Sequence, residues 1–358
     1  MATSWTELYR NPADTISSAI ETLDKAKGHI CLVVDGDNRL LGTVTDGDIR
    51  RGILKGLRLE SAISEVMNDS PVVGHPELSI AQSKAMMQKR QVRQLPIVNS
   101  EGYVIGLNLL DDLNAANKPT LRENPVVLMA GGTGTRLRPL TENVPKPLLQ
   151  IGNKPLLERI LESFIDHDFC NFIISVHYRS DMIKSHFGDG SKWNVSIEYL
   201  EESEKLGTAG SLSLLNAADD LPVIVMNGDV LTQVNFDNLL AFHAEQKAKA
   251  MMCVRAYDLQ VPYGVVHTSN MRITAIEEKP THKFFVNAGI YVFEPDVLSL
   301  IPKESYFDMP QLFELLIERG QDTAVFPIRE YWMDIGKMED YQRANQDASD
   351  DSLVMSKS

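Results

Sequence analysis

Cysteine is scarce in this chain. Cys31, Cys170 and Cys253 are the only three in 358 residues, and no two stand in a C-x-x-C pair. That count argues against a structural zinc site or a disulfide framework and fits a reducing compartment. Long apolar runs are missing too: no stretch approaches the ~18 consecutive apolar residues of a membrane span. The first residues, MATSWTELYRNPADT, lack the apolar centre of a signal peptide. A cytoplasmic protein with no membrane association is the expectation. Cationic surplus is absent as well, since 35 Lys and Arg face 49 Asp and Glu for a net charge of −14. Such a balance disfavours broad nucleic-acid binding, yet a few well-placed cations beside a metal ion can still hold an anionic ligand. What is present is ordinary globular composition, 43% apolar and 23% charged, which excludes disorder for most of the chain. Its length predicts two or three compact units.

The first part of the chain repeats itself. Residues 30–49 read ICLVVDGDNRLLGTVTDGDI and residues 95–113 read LPIVNSEGYVIGLNLLDDL. Each copy predicts an apolar strand, a turn, a second apolar strand and an acidic helix start. A helical stretch precedes each, over 16–23 and 80–87. Two copies are too few for a solenoid, so two half-units sharing one core are expected.

This pattern resembles a tandem CBS-domain pair over about residues 8–115. The resemblance implies an adenosine nucleotide as a possible effector, held by a Gly-h-h-Thr/Ser-x-x-Asp stretch in which the Asp meets ribose hydroxyls and the Thr and a helix N-terminus meet phosphate. The first copy matches through Gly42, Thr45 and Asp48. The second keeps Gly106 and Asp112, but Leu109 stands where the hydroxyl belongs. The competing reading is that Thr45 and Asp48 simply cap a helix. CBS pairs often associate face to face, so the resemblance also implies a homo-oligomer.

A polar, Pro-containing run over 114–125 breaks the repeat and reads as a linker. Strands and helices then alternate as in an α/β domain. Strands are predicted over 126–130, 171–176, 195–200, 223–226, 250–254, 264–268, 288–293 and 323–327. Helices are predicted over 156–166, 210–217, 236–246 and 310–319. The domain expectation is 1–118 for the repeat unit, 119–125 for the linker, 126–345 for a catalytic domain and 346–358 for a flexible acidic tail.

Chemistry concentrates in residues 125–158, PVVLMAGGTGTRLRPLTENVPKPLLQIGNKPLLE. A buried strand runs through Ala130 into Gly131, Gly132, Thr133, Gly134, Thr135 and Arg136. Glycines there let backbone N–H groups approach a phosphate closely. The turn is no Walker A motif, because Gly-Lys-Ser/Thr does not follow four spacers. Leu137 stands where a dinucleotide fingerprint needs its third glycine, which disfavours a nicotinamide-dependent dehydrogenase. Arg136 follows at once, and Lys146 sits between Pro145 and Pro147, which stiffen its backbone. A glycine turn with two fixed cations suits a triphosphate.

This stretch resembles the sugar-1-phosphate nucleotidyltransferases, whose G-G-x-G-T-R-L-x-P-L-T…P-K-P pattern it matches almost residue for residue. Later segments extend the resemblance to about Tyr341. It implies a Rossmann-like, mixed-sheet α/β domain (GT-A-like), preceded by the smaller α+β CBS pair. It implies Mg2+-dependent transfer of a nucleotidyl group from a nucleoside triphosphate to a sugar 1-phosphate with release of pyrophosphate. Arg136, Lys146 and Asp229 would be catalytic, and Asp229 and Asp334 would hold the metal. Ala130, Gly131, Gly132, Gly134, Thr135, His177, Gly207 and Thr208 would meet the nucleotide. Gly264, Glu278, Lys279 and Asn287 would meet the sugar phosphate. Lys337 and Met338 replace the family's usual Thr-Pro after Asp334-Ile335-Gly336. The Leu-Gly-Thr-Ala-Gly form at 206–210 resembles the guanylyl and hexose branch. That points to GTP with glucosamine 1-phosphate or a related hexose 1-phosphate, for surface glycans or legionaminic acid; UTP, CTP or ATP stay open. The rival reading is a non-catalytic regulatory subunit that keeps the fold. Such proteins usually drop the loop arginine or a metal aspartate, and this chain retains both.

Overall fold

The structure is a computed structural model that describes residues 5–25, 30–114, 121–215, 220–303 and 305–349. The chain divides into two compact units, residues 1–120 and 121–358. No helix among the described residues is long and apolar enough to cross a membrane.

In the amino-terminal unit, β1 (Tyr9–Arg10) precedes α1 (Ile16–Lys25), β2 (Ile30–Val34), β3 (Leu40–Thr45) and α2 (Asp46–Leu54). The second copy supplies α3 (Ile80–Arg90), β4 (Gln94–Val98), β5 (Val104–Leu109) and α4 (Leu110–Asn114). Both expected hairpins form: β2 pairs antiparallel with β3, and β4 with β5. The core is shared, because Leu32 of the first copy packs in one cluster with Val98 and Val104 of the second. Gly42 is required at its position, since a Cβ there would lie 2.6 Å from the Asn68 carbonyl oxygen.

The carboxy-terminal unit begins with β6 (Val126–Met129), β7 (Gln150–Ile151), β8 (Lys154–Pro155), α5 (Leu156–Ile165), β9 (Asn171–Val176), α6 (Ser180–Phe187) and β10 (Ser196–Glu201). Then come α7 (Gly207–Gly210), β11 (Val223–Asn227), β12 (Val230–Thr232), α8 (Phe236–Gln246), β13 (Ala250–Gln260), β14 (Val265–Ser269), β15 (Arg272–Glu277) and β16 (Thr281–Phe293). It ends with α9 (Pro295–Leu298), α10 (Met309–Glu318), β17 (Thr323–Ile328), β18 (Trp332–Asp334) and α11 (Met338–Ser349). Seven strands form one sheet in the order β10-β9-β6-β11-β16-β13-β17. The β10-β9-β6-β11 run is parallel, and β16 is antiparallel to both its neighbours. This is the expected mixed-sheet α/β architecture. Fully buried aliphatic strands such as Val126-Val127-Leu128 are what a sheet covered on both faces demands. Phe164 of α5 stacks on Phe236 of α8, ring centroids 3.8 Å apart, on one face of that sheet.

Several segments differ from expectation. Residues 119–120 of the expected linker lie outside the described residues, whereas 121–125 run against the second unit: Arg122 N–H donates to the Asp168 carbonyl (2.8 Å) and Asn124 Nδ2 to that of Pro222 (2.9 Å). The expected tail starts helical, because α11 continues to Ser349 and Asp347 accepts the Tyr331 hydroxyl (2.8 Å); residues 350–358 lie outside the described residues. The helix expected over 210–217 is a single turn, α7, followed by a 3-10 turn to Leu214. Its amides are bonded sideways, with Ala209 and Gly210 N–H both donating to the Phe307 carbonyl; Asn216 and Ala217 lie outside the described residues. The strands expected over 250–254 and 288–293 are the inner ends of much longer ones.

Candidate active site

The glycine turn leaves the carboxyl end of β6 at the centre of the sheet, where open α/β sheets bind ligands. Ala130 is buried, while Gly132, Thr135 and Arg136 are exposed. Gly134 has φ +64°, and a Cβ there would meet Thr141 Cγ2 at 2.9 Å and Lys146 Cβ at 3.0 Å. The residue must therefore be glycine, and its close approach seats the turn against Lys146. A Cβ on Gly131 would lie 3.0 Å from Glu202 Oε1, whereas nothing stands within 4 Å of one on Gly132.

Asp229 follows β11, the strand next to β6. Gly228 makes that exit possible: its N–H donates to the Met129 carbonyl, and a Cβ would lie 2.6 Å from the same oxygen. Asp334 ends β18, which pairs with β12 so that Val230 lies opposite Asp334. The Ile335 N–H donates to the Asp229 carbonyl (2.9 Å). Two carboxylates about a hundred positions apart are thus neighbours. Lys146 is 9% exposed, and its Nζ bonds Asp229 Oδ2 at 2.6 Å. A Cβ on Gly336 would lie 3.4 Å from Arg136 Nη1 and 3.5 Å from Asp334 Oδ2. Burial, and then the charge of Asp229, push the Asp334 carboxyl above the ordinary aspartate range, against the pull of Lys146 and Arg136. The structure brings Arg136, Lys146, Asp229 and Asp334 together.

Two adjacent carboxylates, one of them disfavoured as an anion, suit an oxygen-seeking divalent cation. No group of three or more His, Cys, Asp or Glu gathers among the described residues. The protein offers two carboxylates rather than a closed cage, which is how Mg2+ is commonly held when phosphate oxygens complete its shell.

The expected nucleotide residues occupy one rim. His177 lies beside Gly131 and donates through Nδ1 to the Glu202 carbonyl (2.9 Å), since a carbonyl oxygen can only accept. Gly207 has φ +83°, and a Cβ there would lie 2.7 Å from the Phe307 carbonyl oxygen. Thr208 is latched rather than free. Its N–H (2.8 Å) and hydroxyl (3.1 Å) donate to Asp308 Oδ1, and the hydroxyl accepts the Met309 N–H (2.9 Å).

Sequence reasoning missed two residues here. Glu202 accepts the Ser175 hydroxyl (2.6 Å) and the Leu206 N–H (3.1 Å), tying β9, the glycine turn and the 206–210 loop together. Asp308 also accepts the Tyr306 hydroxyl at 2.6 Å. Burial works to raise its pKa, but the hydrogen bonds from Tyr306 and Thr208 outweigh it, and Asp308 titrates below the usual range. The only sequence signal was Asp308-x-x-Gln311, a capping box at the start of α10.

The expected sugar-phosphate residues divide. Gly264 and Glu278 adjoin, since a Cβ on Gly264 would lie 3.1 Å from Glu278 Oε2. Both, with Lys279, are exposed on an arm outside the main sheet. Asn287 is on β16, where its Nδ2 donates to the Tyr291 hydroxyl (2.8 Å) and its Oδ1 accepts the Gly289 N–H (2.9 Å). Among the described residues, no hydrogen bond or ion pair joins Gly264, Glu278 or Lys279 to the Asp229 cluster.

In the first unit, Thr45 and Asp48 form a helix cap. Asp48 Oδ2 accepts the Thr45 N–H (2.8 Å) and hydroxyl (2.7 Å), while its Oδ1 accepts Arg51 Nη2 (2.7 Å). Asp112 is exposed on α4.

The nucleotidyl transferase family model matches residues 125–351, and the CBS domain model matches 11–55 and 63–107. A mannose-1-phosphate guanyltransferase of Aspergillus oryzae is 36% identical over 224 residues, covering 60% of this chain and 61% of that one. A UTP–glucose-1-phosphate uridylyltransferase of Synechocystis is 33% identical over 238 residues, covering 61% of each. The chain thus spans about three-fifths of the length of these curated relatives. Among solved structures, a Bacillus anthracis protein assigned as a glucose-1-phosphate thymidylyltransferase superposes with TM-score 0.52 at 26% identity, covering 64% of this chain and 96% of that one. HddC of Yersinia pseudotuberculosis gives 0.50 at 25%, covering 63% and 99%. Members of this family generally use a divalent metal. With its glycine turn, its two cations and its paired aspartates all inside the matched span, the chain belongs to the nucleotidyl transferase family.

Proposed function

We propose that the carboxy-terminal unit transfers a nucleotidyl group from a nucleoside triphosphate to a sugar 1-phosphate, with Mg2+, and releases pyrophosphate. The observation that carries this reading is the meeting of Asp229, Asp334, Lys146 and Arg136 beside the glycine turn. The sugar phosphate oxygen attacks the α-phosphorus and the bond to pyrophosphate breaks. Both reactants are anions, so the site must cancel repulsion and stabilise charge on the leaving group. Backbone N–H groups of Gly131 to Thr135 bind the phosphates, Arg136 neutralises their charge, and Lys146 adds a second cation whose position Asp229 fixes. Asp229 and Asp334 would hold the Mg2+, which would supply further charge neutralisation on the triphosphate. No covalent enzyme intermediate is required.

We assign guanine as the base, on the similarity to mannose-1-phosphate guanyltransferases and the Leu206-Gly207-Thr208-Ala209-Gly210 form. The acceptor is a hexose 1-phosphate, with glucosamine, mannose and glucose 1-phosphates as the panel to try. An adenosine effector at Thr45, Asp48 and Asp112 would share the Asp48 carboxylate with the Thr45–Asp48 cap, and regulation does not enter this proposal. The test is pyrophosphate release by the full chain with Mg2+, each of the four triphosphates and each sugar 1-phosphate. Release with GTP and a hexose 1-phosphate is expected. Nucleotide binding without release in every combination would leave the non-catalytic reading standing instead.

A further inference from the structure

Where β11 leaves the sheet, two asparagines from neighbouring strands come together, and they are treated differently by the protein. Asn227 is the last residue of β11, two positions before Asp229. On one side it pairs with Met129, which immediately precedes Ala130 and the glycine turn. On the other it meets Gly289 of β16. Asn227 therefore stands between the phosphate turn and the segment that carries Asn287.

Gly289 is what lets the amide fit there. Its φ is +73°, and a Cβ would lie 2.7 Å from Asn227 Nδ2 and 3.1 Å from its Cγ. Glycine tolerates that backbone, and it alone leaves the room. Asn287 then holds the turn, its Oδ1 accepting the Gly289 N–H (2.9 Å) while its Nδ2 donates to the Tyr291 hydroxyl (2.8 Å). Both ends of the Asn287 amide are thus used inside the protein.

Asn227 is the opposite case. Its Oδ1 is sealed from solvent, yet it has no donor among the described residues. An unpaired buried acceptor costs stability, and native interiors seldom keep one without a reason. Packing does not supply the reason. Val225 shares this face of β11 and is fully buried with Tyr291 in an apolar cluster, so an aliphatic residue at 227 would simply extend that cluster. Nor do the adjoining amides supply a partner: the Gly228 N–H goes to the Met129 carbonyl and the Gly289 N–H to Asn287. The donor must arrive with a ligand. The residue as a whole is only partly buried, and the asparagine χ2 torsion is soft, so the amide can turn its oxygen toward an entering group.

The chemistry of the two substrates selects the donor. Ionised phosphate oxygens accept hydrogen bonds, whereas the ring hydroxyl and amino groups of a hexose donate them. We propose that Asn227 is a specificity residue for the acceptor, taking a hydrogen bond from one hydroxyl or amino substituent of the hexose ring; this deepens the functional reading above and rests on it.

The test compares the full chain with Asn227→Leu, using Mg2+, GTP, the best hexose 1-phosphate of the panel and its monodeoxy analogues. In the parent chain, removing the hydroxyl or amino group that faces Asn227 should lower kcat/KM about tenfold or more. In Asn227→Leu the intact acceptor should lose a similar factor, that one analogue should lose nothing further, and KM for the triphosphate should hold. The variant should melt at or above the parent temperature, because it removes an unpaired polar group. Asn227→Ala, which adds no bulk beside Gly289, should give the same pattern of acceptor constants. Equal losses for every analogue in parent and variant overturn the proposal. So does a rise in KM for the triphosphate alone, which would give the amide to the nucleotide. A lower melting temperature with unchanged acceptor constants would make the amide structural and overturns it too. If the parent releases no pyrophosphate in any combination, the catalytic reading falls, and calorimetric titration with the sugar 1-phosphates decides the contact: weaker binding to both variants upholds it, and equal binding ends it.

Discussion

Each unit places an aspartate motif beside a strand end, and the two differ in what already occupies the carboxylate. Asp48 accepts three hydrogen bonds, all from residues 45 to 51 of its own cap and helix. Asp229 and Asp334 come from separate strands, face each other, and share the field of two cations delivered by the glycine turn and the Pro-Lys-Pro segment. A carboxylate engaged by its own helix stabilises that helix. A pair of carboxylates held together against their mutual repulsion is a cost that folding alone does not require, and a ligand that relieves it is the natural explanation.

The strongest way to break this contrast is through a buried ion pair of the first unit that is purely structural. Arg50 is fully buried with Nε 2.5 Å from Asp46 Oδ2. Asp46→Ala leaves the guanidinium buried without this carboxylate and should cost about 3–5 kcal/mol. The expected result is a lower first transition in calorimetry, with turnover per folded molecule unchanged. In the second unit the same kind of deletion should act in reverse. Asp229→Asn should lower the rate of pyrophosphate release by roughly a hundredfold, about 3 kcal/mol of barrier, while leaving the melting temperature close to that of the parent chain. Comparable losses of rate and stability in Asp229→Asn would make the carboxylate a structural partner of Lys146.

Asp308 lies between these extremes, as a positioning residue that touches neither carboxylate of the cluster. Asp308→Ala frees the Thr208 N–H and hydroxyl, and KM for the triphosphate should rise about tenfold, ~1.4 kcal/mol, with a smaller change in kcat. The pH dependence has a definite sign. Because the folded pKa of Asp308 is lowered, the latch is complete above the ordinary aspartate range and is lost as pH falls through the lower, folded value. Triphosphate KM should therefore be flat through neutral pH, and a rise there would assign the latch to another group.

What the sequence made legible follows from range. The glycine turn, Arg136, Lys146 and the ends of β6 and β11 were readable because each is fixed by neighbours within a few residues: glycine for a positive φ at 134, prolines around Lys146, an apolar run before Asn227-Gly228-Asp229. The repeat in the first unit was readable for the same reason. The ties made by Glu202 and Asp308 were not. Ser175 and Thr208 are 27 and 100 positions from their partners, and a capping aspartate looks the same whether or not its second face holds a distant loop. The arm was hidden differently. The strand expected over 264–268 forms as β14, whereas β15 and the outer halves of β13 and β16 are not among the expected strands.

The smallest predicted effect tests the other side of the comparison. If the cap accounts for Asp48, then Asp48→Ala removes the acceptor of the Thr45 N–H and hydroxyl and the partner of Arg51, and the first unit should lose about 1 kcal/mol. Adding AMP or ATP should move the melting temperature of neither the parent chain nor the variant. A ribose bound at Asp48 would produce a different pattern, because the nucleotide would use the same carboxylate as the cap. The parent chain would gain stability with AMP, Asp48→Ala would not, and Thr45→Ser, which keeps the hydroxyl, would keep the gain. That second pattern would show the two units to be alike after all, each holding an anionic ligand at a strand end.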